Sequence, residues 1–186
     1  YYFFNYTGGP GAITPGFILS CITLMKRPAT LHIIPFFLFI VSAGCPVSNN
    51  PLRTELKQLQ KADIKDDSSF IYQLPYETRK SHLLVQGYFS RYTHKNRAAL
   101  DFKIKKGTKI CAARAGVVIR LKEDGKKGGS NTKNRAYGNF VIIQHEDSSR
   151  TGYWHLQHNG VLVNVGDTVR LGQVIALSGN SGYTYF

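Results

Sequence analysis

Residues 93–118 read THKNRAALDFKIKKGTKICAARAGVV, and this stretch decides the fold. It places His94 and Asp101 at the entrance to a series of closely spaced short apolar runs. Imidazole and carboxylate groups are both ligands of zinc ions that keep one coordination position open for water. The stretch therefore predicts a β domain with a candidate metal site at its entrance.

The pattern of short β runs with turn signals between them continues through the rest of the chain beyond Phe70. No helical period of useful length appears there. The predicted strands are 82–89, 99–104, 110–113, 117–121, 140–145, 152–156, 161–164 and 174–178. We predict a mainly β fold for residues 70–186, a small antiparallel sandwich or rolled sheet, with an exposed loop at 122–138.

The chain is basic, with 24 Lys and Arg residues against 11 Asp and Glu residues and a formal net charge of +13. Such an excess is either a solvated surface or an attraction for an anionic polymer: nucleic acid, anionic lipid or a cell-wall polymer. Nucleic-acid binding would require basic clusters interleaved with exposed aromatic residues, or a recognisable motif. The sequence has neither, so nucleic acid is not predicted as a partner.

The only methionine, Met25, begins a pattern typical of an export signal. Two basic residues follow it, then the apolar run 31–41, then small residues directly before Cys45. The apolar run is shorter than the roughly 20 residues that span a bilayer. We predict a signal peptide or lipoprotein signal at 25–45, and we interpret residues 1–24 as an upstream or non-native segment.

Cys45 is a candidate lipidation site, because Ala43-Gly44-Cys45 resembles the lipobox of bacterial lipoproteins. Ser42 stands where that motif usually has leucine. The protein is therefore expected to be exported to the bacterial cell envelope, with membrane contact only through the signal or a lipid anchor.

Residues 46–69 are polar and form the predicted linker. Leu52, Leu56 and Leu59 recur at helical spacing within it, which predicts one short helix or a tether. Cys111 lies alone in an apolar run and is predicted to be a small buried hydrophobic residue.

Several segments in order resemble the lysostaphin/LytM-type zinc metallopeptidases. The resemblance covers about residues 74–186 and rests on the motifs ALDF (99–102), GTKICAARAGVV (107–118), YGNFVIIQHED (137–147), YWHL (153–156) and VLVNVGDTVRLGQVIALSGNSG (161–182). It implies a small β fold around a zinc ion, and cleavage of peptide bonds in peptidoglycan.

The resemblance also implies roles for individual residues. His94 and Asp101 match the first two zinc ligands of the family, and His155 matches the catalytic histidine beside the metal. The family completes its site with a His-x-His motif after the GNSG turn. The chain ends at Phe186, about where that motif is expected, so the domain is expected to be incomplete and inactive as given.

The residues alone leave other interpretations open. His94 is also consistent with an ordinary surface histidine, and His155 with a core histidine that is hydrogen-bonded. Asp101, on an apolar strand, requires either a metal ion or an arginine as its partner. His145 and His158 are more exposed in pattern and receive no role.

The function prediction is a zinc endopeptidase acting on peptidoglycan peptide, with anionic envelope polymers as further partners. One alternative is a non-catalytic LytM-like binding module that regulates cell-wall hydrolases. Loss of the first His and Asp ligands would mark that class, and both are present here. A second alternative is a structural domain that binds the wall without zinc.

Overall fold

The computed structural model describes residues 2–7, 51–65, 69–90, 92–95 and 97–185. The predicted signal segment, with Cys45, lies outside the described residues. The strands are, in chain order, β1 (Tyr2–Thr7), β2 (Leu83–Gln86), β3 (Ala99–Lys103), β4 (Lys109–Cys111), β5 (Gly116–Lys122), β6 (Gly128–Gly129), β7 (Phe140–Gln144), β8 (Arg150–Trp154), β9 (Leu156–Val161), β10 (Thr168–Val169), β11 (Val174–Ser178) and β12 (Gly182–Tyr183). An α-helix, α1 (Pro51–Lys61), precedes β2, and a 3-10 helix covers Thr132–Tyr137.

Two antiparallel sheets make up most of the domain. The larger sheet has seven strands in the order β10-β5-β7-β8-β1-β3-β2, and the smaller one has three in the order β4-β11-β9. A short parallel pair, β12 with β6, lies beside them. The prediction of a mainly β, antiparallel fold is confirmed.

The core consists of apolar side chains from both sheets. Its largest fully buried members on the strands are Leu100, Ile110, Val118, Val141, Ile143, Tyr153, Leu156 and Ile175. Burying one such aliphatic side chain contributes about 1.5–3 kcal/mol. Strand β7 is apolar on both faces, because one face packs in the core and the other contacts side chains such as Trp154 and Arg120.

Strand β1 is inserted into the larger sheet between β8 and β3, and the sequence analysis did not predict it. It runs antiparallel to both neighbours, with Phe3 paired to Asp101 and Phe4 paired to Leu100 and Tyr153. Its sequence, YFFNYT, is rich in aromatic residues, which favour strands. That composition is the local signal that could have revealed it.

Helix α1 lies within the predicted linker and begins with a proline, which is favourable at the first helical position. Leu56 and Leu59 are buried and pack with Phe89 in a second, smaller cluster. Among the described residues, no helix combines the length and apolar character needed to cross a bilayer.

Three local predictions are wrong. The predicted strand 161–164 is not formed, because only Val161 belongs to a strand, as the last residue of β9. The predicted strand 152–156 is divided at His155, whose φ of 60° interrupts the extended backbone between β8 and β9. His145, predicted to be exposed, is buried. Its ring is enclosed because both nitrogens lie against polar groups of other segments, the carbonyl of Ala115 and the hydroxyl of Thr151.

Candidate functional site

Asp101 lies on β3 in an unusually apolar setting. Its neighbours Leu100 and Phe102 are buried, and the residue itself is only 9% exposed. Strand β2 pairs with β3 through a register shift, so that Val85 is unpaired where Gln86 meets Asp101. Bulges of this kind bend a strand and redirect side chains, and they are frequent beside active sites.

His94 precedes β3 and is fully buried. Its Nδ1 lies 3.2 Å from the carbonyl oxygen of Gly87. A carbonyl oxygen only accepts hydrogen bonds, so Nδ1 carries a proton and donates it. This contact fixes the orientation of the ring and directs Nε2 to within 3.3 Å of the Asp101 Oδ1 atom.

The pair formed by His94 Nε2 and Asp101 Oδ1 fits a shared cation. In the neutral ring Nε2 has a lone pair, and two electron-rich atoms 3.3 Å apart in a buried site repel each other unless a proton or a metal ion lies between them. Two ligand atoms bound to one tetrahedral zinc at about 2.0–2.2 Å lie about 3.3–3.6 Å from each other. Donation of the second ring N–H to a backbone carbonyl, as at Gly87, is typical of metal-binding histidines.

His155 joins the site from the junction of β8 and β9. Its Nδ1 donates a hydrogen bond of 2.7 Å to the carbonyl of Ser181, which leaves Nε2 unprotonated in the neutral ring. Its positive φ is uncommon for a residue with a side chain and costs about 1–3 kcal/mol. Strain of this size persists only where surrounding contacts fix the backbone.

The electrostatic setting of His155 favours the neutral ring. Burial is the largest effect and lowers the pKa of His155 below its ordinary value. The hydrogen bond to Ser181 and the negative charge of Asp101 act in the opposite direction without reversing the shift. A neutral histidine with an unprotonated Nε2 atom is chemically a proton acceptor at neutral pH.

A comparison with protein families matches residues 94–185 to the family described as Peptidase family M23. The matched stretch contains all three residues of the site. Residues 94–185 belong to peptidase family M23. This matched stretch, the M23 domain, includes strands β3 to β12.

Two curated relatives are similar to this chain over part of their length. The peptidoglycan DD-endopeptidase ShyA of Vibrio cholerae is 39% identical over 83 residues, which is 44% of this chain and 16% of that protein. The uncharacterized lipoprotein YgeR of Escherichia coli is 34% identical over 82 residues, 44% of this chain and 28% of that protein. The chain thus spans well under a third of each relative.

Among solved structures, a zinc-containing peptidase from Vibrio cholerae is 21% identical, with a TM-score of 0.44. The alignment covers 65% of this chain and 35% of the other. The NMR solution structure of lysostaphin is 28% identical, with a TM-score of 0.42, over 55% of this chain and 39% of the other.

The structure brings His94 and Asp101 into contact and places His155 within range of the Asp101 charge. In the part of the chain that the structure describes, no group of three or more His, Cys, Asp and Glu side chains is arranged to hold a metal ion. Within the described M23 domain, His94 and Asp101 are therefore the two candidate ligand side chains that lie in contact. Cys111 is a buried free thiol, as predicted, and His158 lies elsewhere, against the carbonyl of Glu123.

Two polar residues near His155 were not predicted: Ser181, whose carbonyl contacts the His155 ring, and Asn139, which bonds to the next residue, Leu156. Asn139 stands between Gly138 and Phe140, at the start of the apolar run of β7, and Ser181 lies in the GNSG turn. A buried amide at a strand start needs hydrogen-bond partners. That requirement was the available signal, but the partners lie far away in the sequence and were not readable from it.

Proposed function

We propose that this chain is a zinc-dependent endopeptidase that hydrolyses peptide bonds in peptidoglycan. The observation that carries the proposal is the His94–Asp101 pair, with its two candidate ligand atoms 3.3 Å apart and His155 within range of the Asp101 charge. The match of residues 94–185 to the M23 family and the peptidoglycan DD-endopeptidase activity of the relative ShyA support it.

In this proposal, His94 and Asp101 hold the metal, and the Gly87 carbonyl keeps His94 in its ligating tautomer. When bound, zinc supplies Lewis-acid polarisation and an activated water at neutral pH. His155 accepts and returns a proton through Nε2, because Nδ1 is already committed to the Ser181 carbonyl.

Two protein ligands hold zinc weakly, since catalytic zinc sites normally have three. We therefore propose that the third ligand comes from outside the described residues, and that the chain as given takes up zinc poorly and cleaves little. Strand β1 stands beside Asp101 but contributes no imidazole, carboxylate or thiolate, because its sequence is YFFNYT.

Zinc binding tests the site directly. We expect zinc affinity, measured by competition with a fluorescent chelator, to fall to background in His94→Ala and Asp101→Ala. Phe3 is paired with Asp101, and directly opposed residues on antiparallel strands have Cβ atoms about 4.5–5.5 Å apart. Phe3→His should therefore add a third ligand and raise the affinity at least about tenfold.

The matched control for this gain is Phe4→His. Position 4 pairs with Leu100 and, because side chains alternate along a strand, belongs to the other face of the sheet. Equal gains in the two variants would show that the added histidine does not reach the site. No gain in Phe3→His would contradict the assignment of Asp101 as a ligand.

Hydrolysis is tested on purified peptidoglycan, with released peptides identified by mass spectrometry. The expected order is little cleavage by the chain as given and more by Phe3→His, with loss of the gain when His155→Ala is added. A Phe3→His protein that binds zinc and peptidoglycan yet never cleaves would overturn the endopeptidase proposal. That result would support a binding module instead.

We also propose a location in the bacterial cell envelope, as expected of a protein acting on peptidoglycan and consistent with the lipoprotein relative YgeR. Anionic envelope polymers are proposed as further partners. Lys127 lies over the ring of Tyr137, and Arg135 lies over the ring of Tyr183, which places exposed cations on the edge next to β12.

A further inference from the structure

His155 occupies a backbone position that its own sequence does not favour. The flanking residues belong to β8 and β9, yet His155 has a φ of 60°, which is rare for residues other than glycine. Its carbonyl accepts a hydrogen bond of 3.0 Å from the backbone N–H of Gly179. The position of the ring thus depends on how firmly the next residue, Leu156, and the segment around Ser181 are held.

Asn139 holds Leu156 from one side. Its backbone carbonyl accepts a hydrogen bond from the N–H of Leu156 at 3.3 Å, and its Nδ2 donates one to the carbonyl of Leu156 at 3.3 Å. The rest of the side-chain amide bonds to both backbone groups of Gly125, at 2.8 and 2.9 Å. Asn139 is fully buried, so these bonds have no competition from water.

Ser181 also bonds to Leu156, and its own backbone carbonyl contacts the His155 ring. Its hydroxyl donates to the Leu156 carbonyl at 2.7 Å and accepts from the backbone N–H of Asn139 at 2.9 Å. The Ser181 carbonyl accepts the Nδ1 proton of His155 at 2.7 Å. One residue therefore bonds to the ring, to the following peptide and to Asn139.

We propose that Asn139 and Ser181 are positioning residues for His155. Together they fix its left-handed backbone and the Nδ1–H tautomer, in which Nε2 is the unprotonated ring nitrogen. The inference rests on the proposed function for its catalytic meaning, because it is His155 that would carry the proton. The tautomer itself is a property of the folded chain and is measurable without any activity.

The tautomer of His155 is read from imidazole ¹⁵N chemical shifts in two-bond ¹H–¹⁵N correlation spectra of the full chain, with His155→Ala providing the assignment. Spectra are recorded above neutral pH, where the ring is uncharged. We expect Nδ1–H in the wild-type protein. In Ser181→Ala and in Asn139→Ala we expect the Nδ1–H share to fall to about half or less, because the tautomer follows the hydrogen bond that the other nitrogen makes.

Ser178→Ala is the matched control. Ser178 is also buried, and its hydroxyl also makes two bonds, donating to the Lys105 carbonyl at 2.7 Å and accepting from the N–H of Thr108 at 3.0 Å. Ser178→Ala therefore removes a buried hydroxyl with two hydrogen bonds from a different part of the domain. We expect Ser178→Ala and Ser181→Ala to lower thermal stability similarly, whereas only Ser181→Ala alters the His155 tautomer. Ser181→Thr, which keeps the hydroxyl, should retain Nδ1–H.

An unchanged tautomer in both Ser181→Ala and Asn139→Ala would overturn the inference, as would an equal change in Ser178→Ala. If neither alanine variant folds, the wild-type spectrum decides: Nε2–H at His155 refutes the geometry, and Nδ1–H together with retention in Ser181→Thr supports it. A failure to hydrolyse peptidoglycan would count against the proposed function and would leave this readout unaffected.

Discussion

Arg114 offers the sharpest test of how the domain is held together, through the change Arg114→Met. Its guanidinium donates to Asp147 Oδ2 at 2.9 Å and to the Tyr72 hydroxyl at 3.1 Å, and it lies 4.0 Å from the ring centre of Phe70. A weaker contact reaches Glu146 at 3.3 Å. The residue thus ties the segment before β2 to the turn between β7 and β8.

The magnitude follows from the exposure of each partner. The side chain of Glu146 is 84% exposed, so its pair contributes close to nothing. Removing one partner of a fully buried ion pair costs roughly 3–5 kcal/mol of folding stability. The side chain of Asp147 is 15% exposed and keeps its hydrogen bonds from Ser149, so we expect a smaller cost here, about 2 kcal/mol. The stacked ring of Phe70 adds about 1 kcal/mol. We expect a loss of about 3 kcal/mol, or about 6–12 °C in Tm.

The assay is urea and thermal unfolding of the full chain, with Lys109→Met as the matched control. Lys109 makes an ion pair of similar length, 3.0 Å, with Glu77, but the two side chains are 56% and 43% exposed. That control should cost less than about 1 kcal/mol. Equal losses in the two variants would refute the argument that burial decides the strength of these pairs.

The same pair has a defined pH dependence. Burial raises the pKa of the Asp147 carboxyl, but hydrogen bonds from Ser149 and Arg114 outweigh it and leave the pKa below its ordinary value. A lowered carboxyl pKa contributes stability above the unfolded value of about 3.9, and this stability is lost as pH falls through the folded pKa. The stability difference between wild type and Arg114→Met should therefore shrink in acid.

Three further predictions concern buried groups away from the site. Burial lowers the pKa of His145 despite its hydrogen bond to a backbone carbonyl, so the folded state favours the neutral ring. The free energy of unfolding should therefore fall as pH drops below about 6.5, and a urea midpoint unchanged between pH 7.5 and 5 would contradict this. Tyr153→Phe removes the oxygen that accepts the N–H of Ala113 at 2.8 Å and should cost roughly 1–3 kcal/mol in unfolding experiments; a neutral change would show that another group replaces it. Burial raises the pKa of the Cys111 thiol, so peptide mapping after alkylation should find this cysteine modified only in denaturant, and rapid labelling of the folded chain would argue against the packing.

Much of the β architecture was predictable because local sequence patterns determine where the strands lie. Strand β11 has the predicted bounds, and β7 differs by one residue, since both are continuous apolar runs bounded by turn residues. The need of Asp101 for a polar partner was predictable for a related reason. A carboxylate between two buried apolar neighbours requires a partner, and His94 is that partner in the structure.

The errors share a different cause, which is contact between distant segments. His145 is buried by the carbonyl of Ala115, 30 residues earlier in the chain, so its own surroundings in the sequence gave no warning. The run YWHL reads as one continuous strand, yet His155 leaves the extended conformation because Ser181 holds its ring. Periodicity reports which face of an element is apolar and contains no information about these partners.

Strand β1 shows how the two halves of the site are related. His94 and Asp101 are held by β2, β3 and the Gly87 carbonyl, whereas His155 is held by Asn139 and Ser181 at the β8–β9 junction. Each half has its own hydrogen bonds, and the strand that separates β3 from β8 in the sheet is β1. The residue paired with Asp101 on that strand is Phe3, so a histidine engineered at this position is the most direct way to test whether Asp101 belongs to a metal site.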